Sequence, residues 1–285
     1  MIAQNFEYSA PTTLTDALER LADGNAKPLA GGMSLIPLMK LRLASPESLV
    51  DIGRLADLNY IREEKGEIHI GATTTHYEVE SSPLVRDKCQ LLAEVASHIG
   101  DVQVRNMGTI GGSAAHADPA ADYPAALFAL EAKFKLISSQ GERLVSVGEF
   151  FVDTFTTALA SGEIVAEVTV PVEGASEGAS YQKVAQPASG FAIVGVAARV
   201  RLANGKVAMA RIGVTGLAGK AYRATKAEKA LEGTAGTPGD VENAAKLVAD
   251  GVEPNSDLFA SAEYRAHLAR IYAARALVLA LARTA

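Results

Sequence analysis

Thr109-Ile110-Gly111-Gly112-Ser113-Ala114-Ala115-His116-Ala117-Asp118-Pro119-Ala120-Ala121-Asp122 is the stretch on which the reading of this chain turns. Two adjacent glycines sit between hydroxyl residues and precede a turn punctuated by proline. Upstream, Ala30-Gly31-Gly32-Met33-Ser34-Leu35 repeats the design: two glycines, a serine just beyond, and no lysine. Paired glycines let a backbone approach a bulky anion, and successive N–H groups in such turns form an anion-binding concavity. Either pair alone fits an ordinary strand-to-helix turn. Together they point to a pyrophosphate held between them.

Outward from these loops, the hydrophobic pattern predicts an α+β chain. Residues 12–22 form a helix capped by Thr12 or Thr13, with Leu14, Leu18 and Leu21 on one face. Residues 27–30 run extended into the first glycine pair. A helix over 34–43 follows, with Pro37 in its first turn, where a missing N–H costs little. The pair therefore sits at a strand-to-helix junction with free N–H groups, and the second pair also opens a helix. A strand covers 48–52, and 60–63 with 67–70 form hairpin arms around Lys65-Gly66. Helices are expected at 75–80, 87–99 and 122–130, and strands at 133–138, 142–147 and 163–170. A small-residue acidic connector, 172–180, marks the domain boundary. Beyond it, 180–185, 192–202 and 206–214 predict a three-stranded antiparallel meander turning at Asn204-Gly205, with helices at 222–231, 238–250 and 258–282. The expected units are subdomains 1–58 and 59–174 and a C-terminal domain 177–285.

Composition excludes several functions. Hydrophobic residues make up 48% and charged residues 21%, as in a globular protein, and the net charge of −6 argues against nucleic acid. The single cysteine, Cys89, rules out an intrachain disulfide and any four-cysteine cluster, and reads as a small buried hydrophobe on an apolar helix. Met1–Glu7 lacks the basic and apolar regions of a signal peptide, and residues 268–282 are broken by Arg270 and Arg275, so a cytoplasmic chain without a membrane span is expected.

Competing motifs fail on spacing. Gly213-Val214-Thr215-Gly216-Leu217-Ala218-Gly219-Lys220 is neither a phosphate-binding loop of the Walker type nor G-x-G-x-x-G, and reads as a strand end and turn. The five histidines are dispersed, and His116-Ala117-Asp118 reads as a hydrogen-bonded turn rather than a metal pair. No nucleophile–base pair is legible, so no catalytic residue and no metal ligand is assigned. Asp122 offers an acceptor for ribityl or ribose hydroxyls, or caps the helix behind it.

At this point the residues resemble a known family. Ala30-Gly31-Gly32-x-Ser34-Leu35-x-Pro37, Arg105-Asn106-x-Gly108-Thr109-Ile110-Gly111-Gly112-Ser113 and Asp118-Pro119-x-x-Asp122 look like the FAD-binding medium subunit of molybdenum hydroxylases, the relatives of carbon monoxide dehydrogenase and xanthine dehydrogenase. The resemblance covers essentially the whole chain. It implies an FAD-binding domain of the vanillyl-alcohol-oxidase (PCMH) type, made of two α+β subdomains, plus a C-terminal α+β domain. It implies FAD contacts at Ala30, Gly31, Gly32, Met33, Ser34 and Leu35, at Thr109, Ile110, Gly111, Gly112 and Ser113, and at Ala115, His116 and Asp122. Beside the ring it implies Lys183, Phe191 and Ala192, where the plain alternatives are an exposed strand lysine and a core aromatic. One departure stands out. Many relatives carry an Arg-rich, Gly-Asp-containing segment where this chain reads Ala185-Gln186-Pro187-Ala188-Ser189-Gly190-Phe191, which alters the charge near the flavin.

The resemblance also implies partners: a large subunit with molybdopterin cofactor and a small subunit with [2Fe–2S] clusters, as a dimer of heterotrimers. The chain would then carry electrons to NAD⁺, dioxygen or another acceptor. Two other readings remain: a self-contained flavin oxidase or reductase of the same fold type, and a flavin-free structural subunit.

Overall fold

The computed structural model describes residues 2–22 and 24–284. Met1, Asp23 and Ala285, which fall inside the expected units 1–58 and 177–285, lie outside the described residues. Three sheets organise the chain. The first is parallel and small: β1 (Glu7–Ser9), β2 (Ala26–Leu29) and β3 (Ser48–Asp51) in the order β1-β3-β2. Helix α1 (Leu14–Leu21) covers it. Thr13 caps α1 by accepting the Asp16 N–H, and Ala17 and Leu21 bury its inner face. Helix α2 (Leu35–Lys40) leaves β2 through the first glycine pair, and a single 3₁₀ turn at Ala56–Leu58 ends the unit.

The second sheet is antiparallel and has five strands, in the order Ile61–Glu64, Glu67–Gly71, Ile164–Pro171, Lys133–Ser138 and Gly141–Ser146. Arms β4 (Ile61–Glu64) and β5 (Glu67–Gly71) turn at Lys65 and Gly66, both at positive φ, as the primed two-residue hairpin turns require. Between β5 and the next strand lie α3 (His76–Ser81), α4 (Pro83–Lys88), α5 (Gln90–Ser97), α6 (Val102–Met107), α7 (Ile110–His116) and α8 (Tyr123–Ala129). Every residue of α8 is buried, which makes it the centre of the largest core cluster. Strands β6 (Lys133–Ser138) and β7 (Gly141–Ser146), helix α9 (Val147–Phe150) and the small ribbon β8 (Phe151–Asp153) with β9 (Thr156–Thr157) follow. β10 (Ile164–Pro171) then enters the middle of the sheet, buried along almost its whole length.

The third sheet pairs β11 (Glu177–Ala185), β12 (Ala192–Ala203), β13 (Lys206–Thr215) and β14 (Tyr222–Arg223) in sequence order, all antiparallel. Helices α10 (Thr225–Leu231), α11 (Pro238–Lys246) and α12 (Ala262–Ala282) cover one face.

Several expectations are corrected. The C-terminal sheet has a fourth, two-residue strand where a helix was expected to begin. The single helix expected over 87–99 breaks at Cys89, which is fully buried but sits between α4 and α5 rather than on a helix. The helix expected over 34–43 stops at Lys40 because Arg42 takes positive φ, and the last helix starts at Ala262, where Ser261 caps it by accepting the Tyr264 N–H. The connector expected over 172–180 ends earlier, since β11 begins at Glu177. Among the described residues no helix is long and apolar enough to cross a membrane.

Candidate functional site

The two glycine loops line one cleft of about 830 Å³, at the upper end of the ~300–1,000 Å³ usual for cofactor sites. They also touch. A Cβ on Gly31 would land 1.8 Å from the Met107 carbonyl oxygen and 2.9 Å from Gly108 Cα, so only glycine lets the first loop lie against the chain that leads into the second. Gly32 follows at φ +73, the left-handed region that turns β2 into α2. After this turn, the N–H groups of Gly31, Gly32, Met33 and Ser34 find no acceptor among the described residues. Ser34 occupies the N-cap position of α2 without making a cap bond, which leaves its hydroxyl free.

The second loop differs. Thr109 caps α7 by accepting the Gly112 N–H at 3.1 Å, while Ile110 N–H donates to the Thr74 carbonyl (3.0 Å) and Gly111 N–H to that of Ala72 (2.9 Å). Ser113 N–H donates to the Thr109 carbonyl. The expected free amides are therefore present only in the first loop. Gly111 packs α7 onto Ala72, whose Cβ would lie 2.4 Å from an added methyl, and Gly112 faces the cleft.

Of the residues singled out in the sequence, Ala30, Gly31, Gly32, Met33, Ser34, Leu35, Thr109, Gly111, Gly112, Ser113, Ala115, His116, Asp122 and Phe191 line this cleft. Ile110, Lys183 and Ala192 do not. Ile110 is a core residue, and Ala192 is buried with its N–H on the Ala120 carbonyl. Lys183 is neither exposed nor in the cleft. Its side chain is 8% exposed, and its Nζ reaches Asp122 (2.9 Å) and the carbonyls of His98 and Gly190 (2.8 Å each). Asp122 precedes α8 but makes no cap bond; instead its carboxylate takes Lys183 and the Tyr181 hydroxyl (2.5 Å). Burial pushes the Asp122 carboxyl upward, with Lys183 and Tyr181 opposing. Phe191 is no core aromatic: it is 45% exposed at the cleft edge.

His116-Ala117-Asp118 is a hydrogen-bonded turn, with Asp118 Oδ1 accepting the Ala120 N–H (2.8 Å) and His116 packed on Phe155. Among the described residues no group of three or more His, Cys, Asp or Glu is placed to hold a metal.

Sequence reasoning missed His76. It lines the cleft under the second loop, where a Cβ on Gly108 would lie 2.6 Å from its Nε2. Its ring packs on Tyr123, and its Nδ1 is buried without a partner among the described residues. Burial, aided by Arg105, lowers it to about 4, so the imidazole is neutral. A lone histidine between threonines and a tyrosine carries no periodic signal. Also missed was the wall formed by Thr156, Thr157 and Ser161–Val165.

Residues 4–173 match the family model of the FAD binding domain in molybdopterin dehydrogenase, and residues 179–280 that of the CO dehydrogenase flavoprotein C-terminal domain. The chain is 40% identical to the carbon monoxide dehydrogenase medium chain of Hydrogenophaga pseudoflava, over all of both chains. It is 36% identical to the glyceraldehyde dehydrogenase medium chain of Sulfolobus acidocaldarius, over 97% of this chain and 98% of that one. A solved carbon monoxide dehydrogenase chain from Hydrogenophaga pseudoflava superposes with a TM-score of 0.97 at 43% identity, covering all of both chains.

Proposed function

The chain belongs to the FAD-binding medium subunits of molybdenum hydroxylases, and from that premise we propose how it serves such an enzyme. It is the electron-handling subunit between [2Fe–2S] clusters on a small subunit and an external acceptor such as NAD⁺ or dioxygen. A large molybdopterin subunit hydroxylates the substrate, and the complex is a cytoplasmic dimer of heterotrimers. The observation that carries the reading is the row of unpaired N–H groups at Gly31–Ser34, which shares one cleft with the Ser34 and Ser113 hydroxyls. Such a row favours the charged oxygens of a pyrophosphate.

When bound, an isoalloxazine takes two electrons and releases them singly or in pairs. The chain's own residues bind and orient it. The Gly31–Ser34 amides and the two serine hydroxyls would hold phosphate oxygens, Gly112 would leave them room, Asp122 would stand beside the ribityl chain, and Phe191 would form wall beside the ring. The functional units are 1–58, 59–174 and 177–285.

Electrons come from another chain because this one cannot hold a cluster. Its one cysteine is fully buried, with a thiol that burial pushes up to about 12. Purification from cells that co-express the neighbouring subunits tests the reading. The expected product is a yellow heteromer with flavin absorbance near ~450 nm that also contains iron and molybdenum. A chain that purifies alone, colourless and unable to take up added FAD would overturn it.

A further inference from the structure

The turn at 118–122 is gripped from outside the cleft by the C-terminal sheet. The Pro119 carbonyl accepts Gly216 N–H (2.7 Å) and the Thr215 hydroxyl (2.9 Å), which also lies 2.7 Å from the Ala121 carbonyl. Ala120 takes the N–H of Ala192. The side chain of Asp122 completes the grip through Tyr181 and Lys183.

Tyr181 is fully buried and lines no part of the cleft, yet its hydroxyl lies 2.5 Å from Asp122 Oδ1, the length of a hydroxyl donating to a carboxylate. The fold makes room for it. Gly195, opposite Lys183 on β12, has no side chain, and a Cβ there would lie 2.3 Å from the Tyr181 oxygen. The ring stands edge-on to His98, whose carbonyl takes Lys183. Through Gly190, Lys183 also ties down the Gln186–Phe191 strap, whose Ser189, Gly190 and Phe191 line the cleft.

We propose that Tyr181 is a positioning residue of the cofactor cleft: with Lys183 it holds the Asp122 carboxylate from behind, and so fixes both the 118–122 turn and the 186–191 strap without touching the cofactor. The inference rests on the FAD reading given above. It couples the C-terminal sheet to the 118–122 turn through a side chain that lies outside the cleft.

The test is a double-mutant cycle for FAD affinity on the full chain, with Tyr181→Phe and Asp122→Asn. Tyr181→Phe keeps the ring and removes only the hydroxyl. The expected result is about tenfold weaker FAD binding from Tyr181→Phe alone and less than about twofold in the Asp122→Asn background. An equal loss in both backgrounds would mean that the Tyr181 hydroxyl does not act through Asp122, and an unchanged affinity in the single variant would mean that it does not act at all; either overturns the proposal. Amide exchange of the FAD-free chain gives a second readout, needed if Asp122→Asn binds too weakly to titrate. Tyr181→Phe should speed exchange at 186–192 and leave α6 unchanged, and unaltered exchange at 186–192 would overturn the proposal. A wild-type chain that binds no FAD would sink the FAD reading itself, and the proposal with it.

Discussion

The two glycine loops look alike in sequence and do different work. The first keeps a row of backbone N–H groups unpaired and turns through a left-handed glycine. The second has spent its amides on Thr109, Ala72 and Thr74, and its first glycine serves the close packing of α7 on the chain after β5. On the FAD reading the backbone of the first loop is a ligand and that of the second a buttress, with Gly112 and the Ser113 hydroxyl as its cleft-facing part. Repeated motifs thus share a spacing without sharing a mechanism. What separates these two is where neighbouring carbonyls arrive.

The largest expected effect comes from joining the loops by force. In Gly31→Ala the added methyl meets backbone at Met107, which cannot rotate away. Calorimetry should show about 3 kcal/mol of lost stability, and FAD affinity should fall by about 100-fold; a mild phenotype would break the claim that the loops abut.

Next is the support beneath the second loop. His76 is held at about 4 in the folded chain, first by burial and then by Arg105, against about 6.5 when unfolded. Between those values only the unfolded chain binds the proton, so stability falls as pH drops from 6.5 towards 4, by about 3 kcal/mol in all. His76→Phe should flatten that part of the curve of melting temperature against pH, and an unchanged slope would show that His76 is not the group responsible.

Gly112→Ala separates the roles within the second loop. Its methyl meets only the Thr109 hydroxyl and otherwise faces the cleft. FAD affinity should fall about tenfold for about 1 kcal/mol of stability, as read by titration and melting in parallel. The smallest effect belongs to Thr109→Val, which removes the cap of α7. It should cost about 1 kcal/mol and leave FAD affinity within about threefold. A larger loss of affinity would promote the second loop from buttress to ligand.

Much of the fold is legible in the sequence because its elements bury periodic faces. The turns at Lys65-Gly66 and Asn204-Gly205 fall where their residues accept positive φ. What escaped has equally physical reasons. β1 is three residues long, none of them buried, and α6 buries none of its residues, so neither shows an apolar stripe. The break at Cys89 interrupts a run whose apolar residues continue across it. At the site, the loops were legible because glycine pairs are local. The partners of Asp122 were not, because Tyr181 and Lys183 lie some sixty positions away and reach it only through the third sheet. Nor was the difference between the loops, which depends on carbonyls from Ala72 and Thr74.

The most direct measurement is residue-resolved amide exchange with and without FAD. Amides at Gly31–Ser34 should exchange freely in the FAD-free chain and slow by about 100-fold when FAD binds. Amides at Ile110–Ser113 should already be protected without FAD and change less than about threefold. Free exchange at Ile110–Ser113 in the FAD-free chain, or equal slowing in both loops, would contradict the division into ligand and buttress.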